Sequence, residues 1–330
     1  MRHTTLRTGG TVRVTDLSFG AAGIGNLYTP VDPGQAREAV DAAWEAGIRY
    51  FDTAPHYGLG LSERRLGEAL RERPRSAYTL STKVGRILEP VPGTATTVPD
   101  DLAHGFAVPA THRRVWDFSA DGVRRSVEES LTRLGLDRID IVYLHDPDDH
   151  AEEAFTQAYP ALERLRAEGT VGAIGAGMNR TEMLTRFLRD TDTDVVLCAG
   201  RFTLLDGSAL TELLPEATAR GRSVVVGGVF NSGLLADPRP GATYDYTAAP
   251  PDLLDRALRM DAVTRRYGVP LRAAALQYPR SHPAVASVLV GTRSAAEVRD
   301  AAALAELTLP DDLWAELRAE GLLTENGAPA

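Results

Sequence analysis

The sequence predicts an α/β protein folded as a closed (β/α)8 barrel, the TIM-barrel architecture, and three observations lead there. Short apolar runs alternate eight times with amphipathic helical segments along 330 residues. The runs are apolar on both faces, as strands are when helices cover a parallel sheet. The length suits one barrel carrying insertions. A doubly wound sheet would also satisfy the alternation, and the count of eight favours closure. Residues 1–330 are expected to form one domain.

The elements follow in chain order. Residues 6–14 alternate around Gly9-Gly10 and predict a short β-hairpin ahead of the first strand, a floor for the barrel. The eight strands are expected at 17–22, 50–54, 79–83, 139–145, 172–177, 194–200, 223–229 and 287–292. Helices are expected at 33–46, 62–71, 120–134, 154–168, 180–189, 208–220 and 251–267, with 294–303 following the last strand. A further amphipathic segment at 311–323 is expected to cover the barrel side. Punctuation supports these bounds. Asp32 precedes Pro33 as an N-cap before a proline in the first turn, and Gly47 suits the left-handed position that closes that helix. Ser119, Asp121 and Glu128 open the third helix in similar fashion. Residues 86–118 break the rhythm: they form a long loop after strand 3, rich in proline and glycine and without clear periodicity. It leaves from the C-terminal face, where barrel active sites lie. Phe106, His112, Trp116 and Phe118 are therefore candidates for a substrate wall, the alternative being that they pack on the barrel exterior.

Composition narrows the function classes. The formal net charge of −9 argues against nucleic acid or an anionic membrane as the main partner. Cys198 is the only cysteine, so no intrachain disulfide can form. No apolar h-region opens the chain and no run is long enough for a membrane span, so a cytoplasmic protein is expected. No His, Cys and carboxylate cluster has metal-ligand spacing; Asp146-Pro147-Asp148-Asp149-His150 reads as a solvated loop.

Four polar residues sit at or just beyond the ends of three consecutive strands: Asp52, Tyr57, Lys83 and His145. In a parallel barrel these ends converge on one rim. A phenol titrates near 10 in water, and a neighbouring lysine lowers that value. A buried aspartate keeps the lysine charged and in place. A histidine can bond a substrate oxygen and relay a proton. Such a group moves protons between a carbonyl and an alcohol but supplies no electrons, so a hydride carrier is required. Singly, each residue admits an ordinary role: Asp52 as a cap or turn residue, Tyr57 as a loop aromatic, Lys83 as a strand-end lysine and His145 as a core histidine.

Phe51-Asp52-Thr53-Ala54-Pro55-His56-Tyr57-Gly58, Ser81-Thr82-Lys83-Val84-Gly85 and Tyr143-Leu144-His145-Asp146-Pro147-Asp148 resemble the signature blocks of the aldo-keto reductase family. The resemblance covers nearly the whole chain. It implies that Asp52, Tyr57, Lys83 and His145 form the family's catalytic tetrad, with Tyr57 as general acid or base beside a nicotinamide. Ala199-Gly200-Arg201-Phe202-Thr203-Leu204-Leu205, the run from Gly227 to Leu235, and Val115-Trp116-Asp117-Phe118-Ser119 are similar to the branch containing L-fucose, D-threo-aldose (D-arabinose) and pyridoxal dehydrogenases. That implies oxidation of an anomeric hydroxyl, or a comparable hemiacetal, to a lactone.

The resemblance also places the cofactor. No Rossmann GxGxxG opens a helix after a strand. Gly20 lies in the first barrel loop, and the diphosphate is expected on Gly228, Phe230, Asn231, Gly233 and Leu234, where glycines permit close backbone approach. Asp52 is expected near the nicotinamide. Asn179 keeps the family's carboxamide contact, whereas the usual serine is replaced by Gly177 and a stacking tyrosine by Gly227. Phe230 or Phe202 are candidate replacements for that ring. Gly291, Thr292, Arg293 and Glu297 match the adenosine loop. A carboxylate at 297 repels a 2′-phosphate and accepts from a 2′-hydroxyl, which points to NAD, with NADP left open. Candidate substrate contacts are His56, Phe106, Trp116 and Phe118, and the expected partner is a small sugar or aldehyde. A monomer or small homo-oligomer is expected. An aldehyde or ketone reductase and a redox-sensing cofactor-binding subunit are the competing readings.

Overall fold

A computed structural model describes residues 1–6, 12–92 and 101–323. Eight parallel strands close into a barrel: Leu17–Gly20, Tyr50–Asp52, Thr79–Val84, Ile139–His145, Val171–Met178, Val195–Ala199, Ser223–Gly227 and Val285–Gly291. Each pairs with its chain neighbours, and the eighth closes on the first through Val288↔Leu17 and Gly291↔Gly20. The predicted (β/α)8 architecture is present. Residues at every second position point inward. Tyr50, Ile141, Tyr143, Ala173, Val195, Leu197, Val225 and Leu289 pack into one cluster, while the outward residues meet the helices in a second and larger one.

The floor is built as expected. His3–Thr5 pairs antiparallel with Arg13–Thr15, and Val14 and Leu6 are buried in the interior cluster. Gly9-Gly10, on which the hairpin was predicted, lies outside the described residues. Capping follows the sequence. The Asp32 carboxylate accepts from the backbone N–H groups of Gly34 and Gln35, and the Ser119 hydroxyl accepts from Gly122 N–H.

Four elements depart from the expectation. Residues 154–168 are not one α-helix: a π turn, Ala154–Ala158, leads into a helix at Tyr159–Ala167. Pro160 cannot donate into a regular ladder, and the wider turn sits just before it. Residues 208–220 split into a 3₁₀ turn at Ser208–Leu210 and a helix at Leu213–Ala219. Pro215 is tolerated only in the first turn of that helix, so it cannot belong to one begun at 208. The sequence reading missed a second helix after the seventh strand, Leu271–Gln277, which follows Pro251–Arg266. Finally, the loop after strand 3 carries two short strands that the sequence reading did not give it. Arg86–Pro90 and His112–Trp116 pair antiparallel in five-residue register above the barrel mouth. No helix among the described residues is long and apolar enough to cross a membrane.

Candidate active site

The barrel places three of the four tetrad residues by inward alternation. Asp52 ends the second strand, Lys83 lies one residue before the end of the third, and His145 ends the fourth. All three are buried. Lys83 Nζ donates to Asp52 Oδ2 at 2.6 Å and to the Thr53 carbonyl at 3.0 Å. Burial alone would lower the Lys83 pKa. The Asp52 carboxylate and Tyr57 together outweigh it and hold the ammonium above its ordinary range.

Tyr57 comes from the loop after the second strand. A tight run there has Gly58, Leu59 and Gly60 all at positive φ. Gly58 is obligatory, because a Cβ would overlap the carbonyl oxygen of Gly25. That contact, with Ser62 Oγ donating to the Ala21 carbonyl at 2.7 Å, sets the loop down on the rim. The Lys83 ammonium lies 4.8 Å from the Tyr57 ring centroid. The His145 ring meets Tyr57 edge-on at 6.0 Å. Burial pushes the Tyr57 phenol up to about 12, with Lys83 pulling it down and Asp52 pushing it up. Burial, then Arg86 and Lys83, holds His145 far below the ordinary imidazole range, so it is neutral at physiological pH. The four residues thus meet in space, a phenol between a fixed cation and a neutral imidazole.

The paired strands beyond Lys83 add groups that the sequence reading did not single out. Gly85, at φ +105°, turns the chain out of the barrel over the Phe118 ring, which a Cβ would strike. Arg86 then pairs with Asp146 and lies 4.4 Å from the Trp116 ring centroid. His145 Nε2 is 3.6 Å from Asp146 Oδ2. Arg114 clasps Asp101 through two nitrogens and donates its Nε to His56 Nδ1 at 2.5 Å. His56 is therefore neutral with its proton on Nε2, and burial with nearby cations holds its pKa down at about 2.

The candidate substrate residues separate. His56 packs against His145 at 5.7 Å and against Phe106 at 5.3 Å, and Phe106 lies beside Tyr57 at 6.2 Å. Trp116 is 44% exposed and stacks on Phe118. Phe118 is fully buried beneath it in the main core and presents no face to the cleft. His112 bonds Thr111 at 2.9 Å.

A continuous groove runs from this rim. Its inner part is lined by Gly20, Asp52, Tyr57, Asn179, Gly228, Phe230, Asn231 and Gly233, and its outer part by Gly291, Thr292, Arg293 and Glu297. Phe230 and Gly291 border both parts. Leu234 is buried in the core, with its N–H already bonded to the Asn231 carbonyl at 3.2 Å. Phe202 packs on Tyr278 at 5.2 Å in the core and cannot replace a ring over Gly227; Phe230 faces the groove. Gly177 and Gly227 each have room for a Cβ at ordinary contact distance. Tyr28 and Tyr246, both at positive φ, bring their rings to 6.5 Å across the inner groove. Sequence reasoning missed both.

A dinucleotide, which carries both hydrogen-bond donors and acceptors, suits this groove. Asn231 Oδ1 and Thr292 Oγ1, buried at the two parts of the groove, have no hydrogen-bond partner within the protein. Among the described residues no group of His, Cys, Asp and Glu could hold a metal ion.

Comparison with known proteins gives the family. Residues 16–320 match the model of the aldo/keto reductase family. The chain is 47% identical over 304 residues to D-threo-aldose 1-dehydrogenase from Pseudomonas sp., covering 91% of this chain and 92% of that protein. It is 41% identical to pyridoxal 4-dehydrogenase from Microbacterium luteolum, covering 96% of each. Among solved structures, the holo form of an aldo-keto reductase from Bacillus halodurans superposes with a TM-score of 0.74 at 28% identity, covering 98% of this chain and 97% of that one. With the family model spanning the whole barrel, the chain belongs to the aldo/keto reductase family and is an oxidoreductase of that kind.

Proposed function

We propose that the enzyme oxidises the anomeric hydroxyl of an aldose, or a comparable hemiacetal, to a lactone, using NAD and Tyr57 as the proton-transfer group. The observation that carries the chemistry is the buried Asp52–Lys83 pair at 2.6 Å beneath Tyr57, with neutral His145 beside it. Asp52 holds the lysine, the lysine stabilises a phenolate on Tyr57, and His145 orients the substrate oxygen by hydrogen bonding. In oxidation Tyr57 takes the hydroxyl proton; in reduction it returns one. A nicotinamide, when bound, accepts or supplies the hydride. Asn179 would face its carboxamide, the 228–233 turn its diphosphate, and residues 291–297 its adenosine.

The preference for NAD rests on charge. Glu297 accepts from Arg293 N–H at 2.9 Å and from Arg293 Nε at 2.8 Å, while Arg272 pairs with Asp300 at 2.6 Å. Both cations of the outer groove are thus already matched by carboxylates, which suits a 2′-hydroxyl and opposes a 2′-phosphate. The aldose assignment is supported by the names of the two relatives above and by the polar wall of His56, Arg86, Arg114 and Asp146 at the rim, which suits a hydroxylated substrate. One observation favours the reverse direction. A phenol pushed up to about 12 is protonated at neutral pH and ready to donate, as a carbonyl reductase needs. A screen of cofactor reduction with aldoses, pyridoxal and simple alcohols, using NAD and NADP separately, tests the reading. Turnover of simple alcohols alone, or reduction of aldehydes without aldose oxidation, overturns the aldose assignment.

A further inference from the structure

Behind Asp52, inside the barrel, lies a row of hydroxyl groups that the chemistry above leaves unused. Ser81 Oγ donates to Asp52 Oδ1 at 2.6 Å, Tyr50 OH is 3.0 Å from Ser81 Oγ, and Tyr143 OH is 3.0 Å from Tyr50 OH. All of these side chains are buried, and Leu6, Val14, Ile141, Ala173 and Val195 surround the two phenols in the same interior cluster. The row comes from three adjacent strands by the same inward alternation that places the tetrad. Tyr50 and Asp52 share the second strand, Ser81 and Lys83 the third, and Tyr143 and His145 the fourth.

The direction of every bond in the row is fixed. A carboxylate paired to Lys83 has no proton to give, so Ser81 donates to it. The one hydroxyl proton of Ser81 is then spent, so Tyr50 donates to Ser81. By the same count Tyr143 donates to Tyr50. Burial and the Asp52 charge hold both phenols protonated, as donors must be. Three O–H dipoles therefore line up on Oδ1 while Lys83 occupies Oδ2, so the carboxylate is gripped on both oxygens and cannot turn about its Cβ–Cγ bond.

We propose that Ser81, Tyr50 and Tyr143 form a one-way hydrogen-bond chain that positions Asp52, and through it sets the charge state of Lys83 and the proton affinity of Tyr57. This rests on the assignment of Tyr57 as the proton-transfer group. None of the three touches substrate or cofactor; they are positioning residues. If the chain is cut, the carboxylate is free to turn away from Lys83. The ammonium, buried with a weaker partner, gives up its proton at lower pH, and the phenol loses the cation that favours its ionised form. The other charged or titratable groups around Lys83 and Tyr57 are His56, His145, Arg86, Arg114, Asp146 and Tyr246. None is altered by removing hydroxyls from the chain.

The composition offers an unusually direct readout. Lys83 is the only lysine in the sequence, so protein made with carbon-13 lysine gives a single lysine signal that needs no assignment. In Ser81→Ala the alkaline midpoint of that signal falls by about one pH unit, the size of one charge-assisted hydrogen bond, with a smaller fall in Tyr50→Phe and the smallest in Tyr143→Phe. The rise of kcat/KM for oxidation with pH moves the opposite way, to higher pH, in the same order. Ser81→Thr, which keeps the hydroxyl, restores both. Equal effects at all three positions, an unmoved lysine midpoint in Ser81→Ala, or no recovery in Ser81→Thr overturns the chain. The lysine signal needs no turnover. Full activity in Tyr57→Phe would therefore sink the assignment of Tyr57 while the lysine titration still decides the chain.

Discussion

At the scale of single residues, the site turns on protons whose positions burial decides. Tyr57 sits under opposing influences: burial and Asp52 raise its pKa, Lys83 lowers it, and the result is a phenol near 12. Below that pH the phenol is protonated, so kcat/KM for oxidation rises as pH increases through the neutral and alkaline range. Tyr57→Phe removes the exchangeable proton without changing shape. Turnover should fall by a factor on the order of 10² to 10⁴, while cofactor binding followed by fluorescence stays near wild type. A variant that retains turnover removes Tyr57 from the mechanism. Glu297 is a second deciding residue. Its carboxylate is held by Arg293 at both the backbone and the side chain, so a 2′-phosphate meets a cation that is already engaged. Glu297→Arg should free Arg293, add a positive charge, and improve NADP use by about tenfold relative to NAD, equivalent to about 1.4 kcal/mol. An unchanged ratio of kcat/KM for the two cofactors would mean that this loop does not meet the adenosine ribose.

At the scale of elements, the two paired strands after strand 3 carry Arg86 and Arg114 to the rim, and charged side chains stand along both of them. Glu89 and Arg113 pair across them at 2.7 Å, and Arg86 lies over the Trp116 ring. This explains why they were illegible as strands. Arg86, Glu89, Arg113 and Arg114 interrupt the apolar alternation that marks a strand in sequence. Tyr28 and Tyr246 were illegible for another reason. Asp245 and Tyr246 both adopt positive φ in a two-residue hairpin turn, where Asn-Gly is the usual signal. The tetrad, in contrast, could be read, since strand-end positions follow from period-two alternation and its residue types are chemically unusual there. Trp116→Ala withdraws the aromatic face from Arg86, an interaction of about 0.5–2 kcal/mol, and should raise KM for a good substrate roughly two- to thirtyfold with cofactor affinity unchanged. Unchanged kinetics on several aldoses would detach this element from substrate binding. Behind strand 3, Glu63 is fully buried, bonded to Thr82 Oγ1 at 2.9 Å and to Arg133 Nε at 2.5 Å. It ties two helices to the strand bearing Lys83. Glu63→Ala leaves a guanidinium half of a buried pair and should cost about 3–5 kcal/mol in urea unfolding. A loss under about 1 kcal/mol would mean that Arg133 finds solvent or another partner.

At the scale of the whole molecule, the barrel was legible because one βα unit repeats eight times, and a single misplaced boundary does not change the count. Where the repeat is broken, at Pro160, Pro215 and the extra helix Leu271–Gln277, the sequence reading lost the element bounds but not the architecture. Closing the barrel also places histidines where they cannot take up a proton, which links the fold to pH. Burial is the largest influence lowering both His56, to about 2, and His145, well below 6.5. In the unfolded chain both titrate near about 6.5. Their folded-state pKa values are depressed, so the unfolded state binds more protons at mildly acidic pH. The stability they contribute is present above pH 6.5 and is lost as pH falls below it. From about pH 6.5 toward pH 5, each neutral histidine should remove up to roughly 1.4 kcal/mol of stability per pH unit. Burial also lowers His112 and His282 and raises Asp146 and Asp148, so the share of one histidine is read from a single-residue variant rather than from the total slope. Urea midpoints measured at pH 7 and pH 5 should therefore differ markedly in the wild type. His145→Gln, which keeps hydrogen-bonding capacity but cannot ionise, should reduce the difference by about one histidine's share. An equal slope in wild type and variant would show that His145 takes up a proton as readily in the folded barrel as in the unfolded chain, and the depressed pKa assigned to it would have to be abandoned.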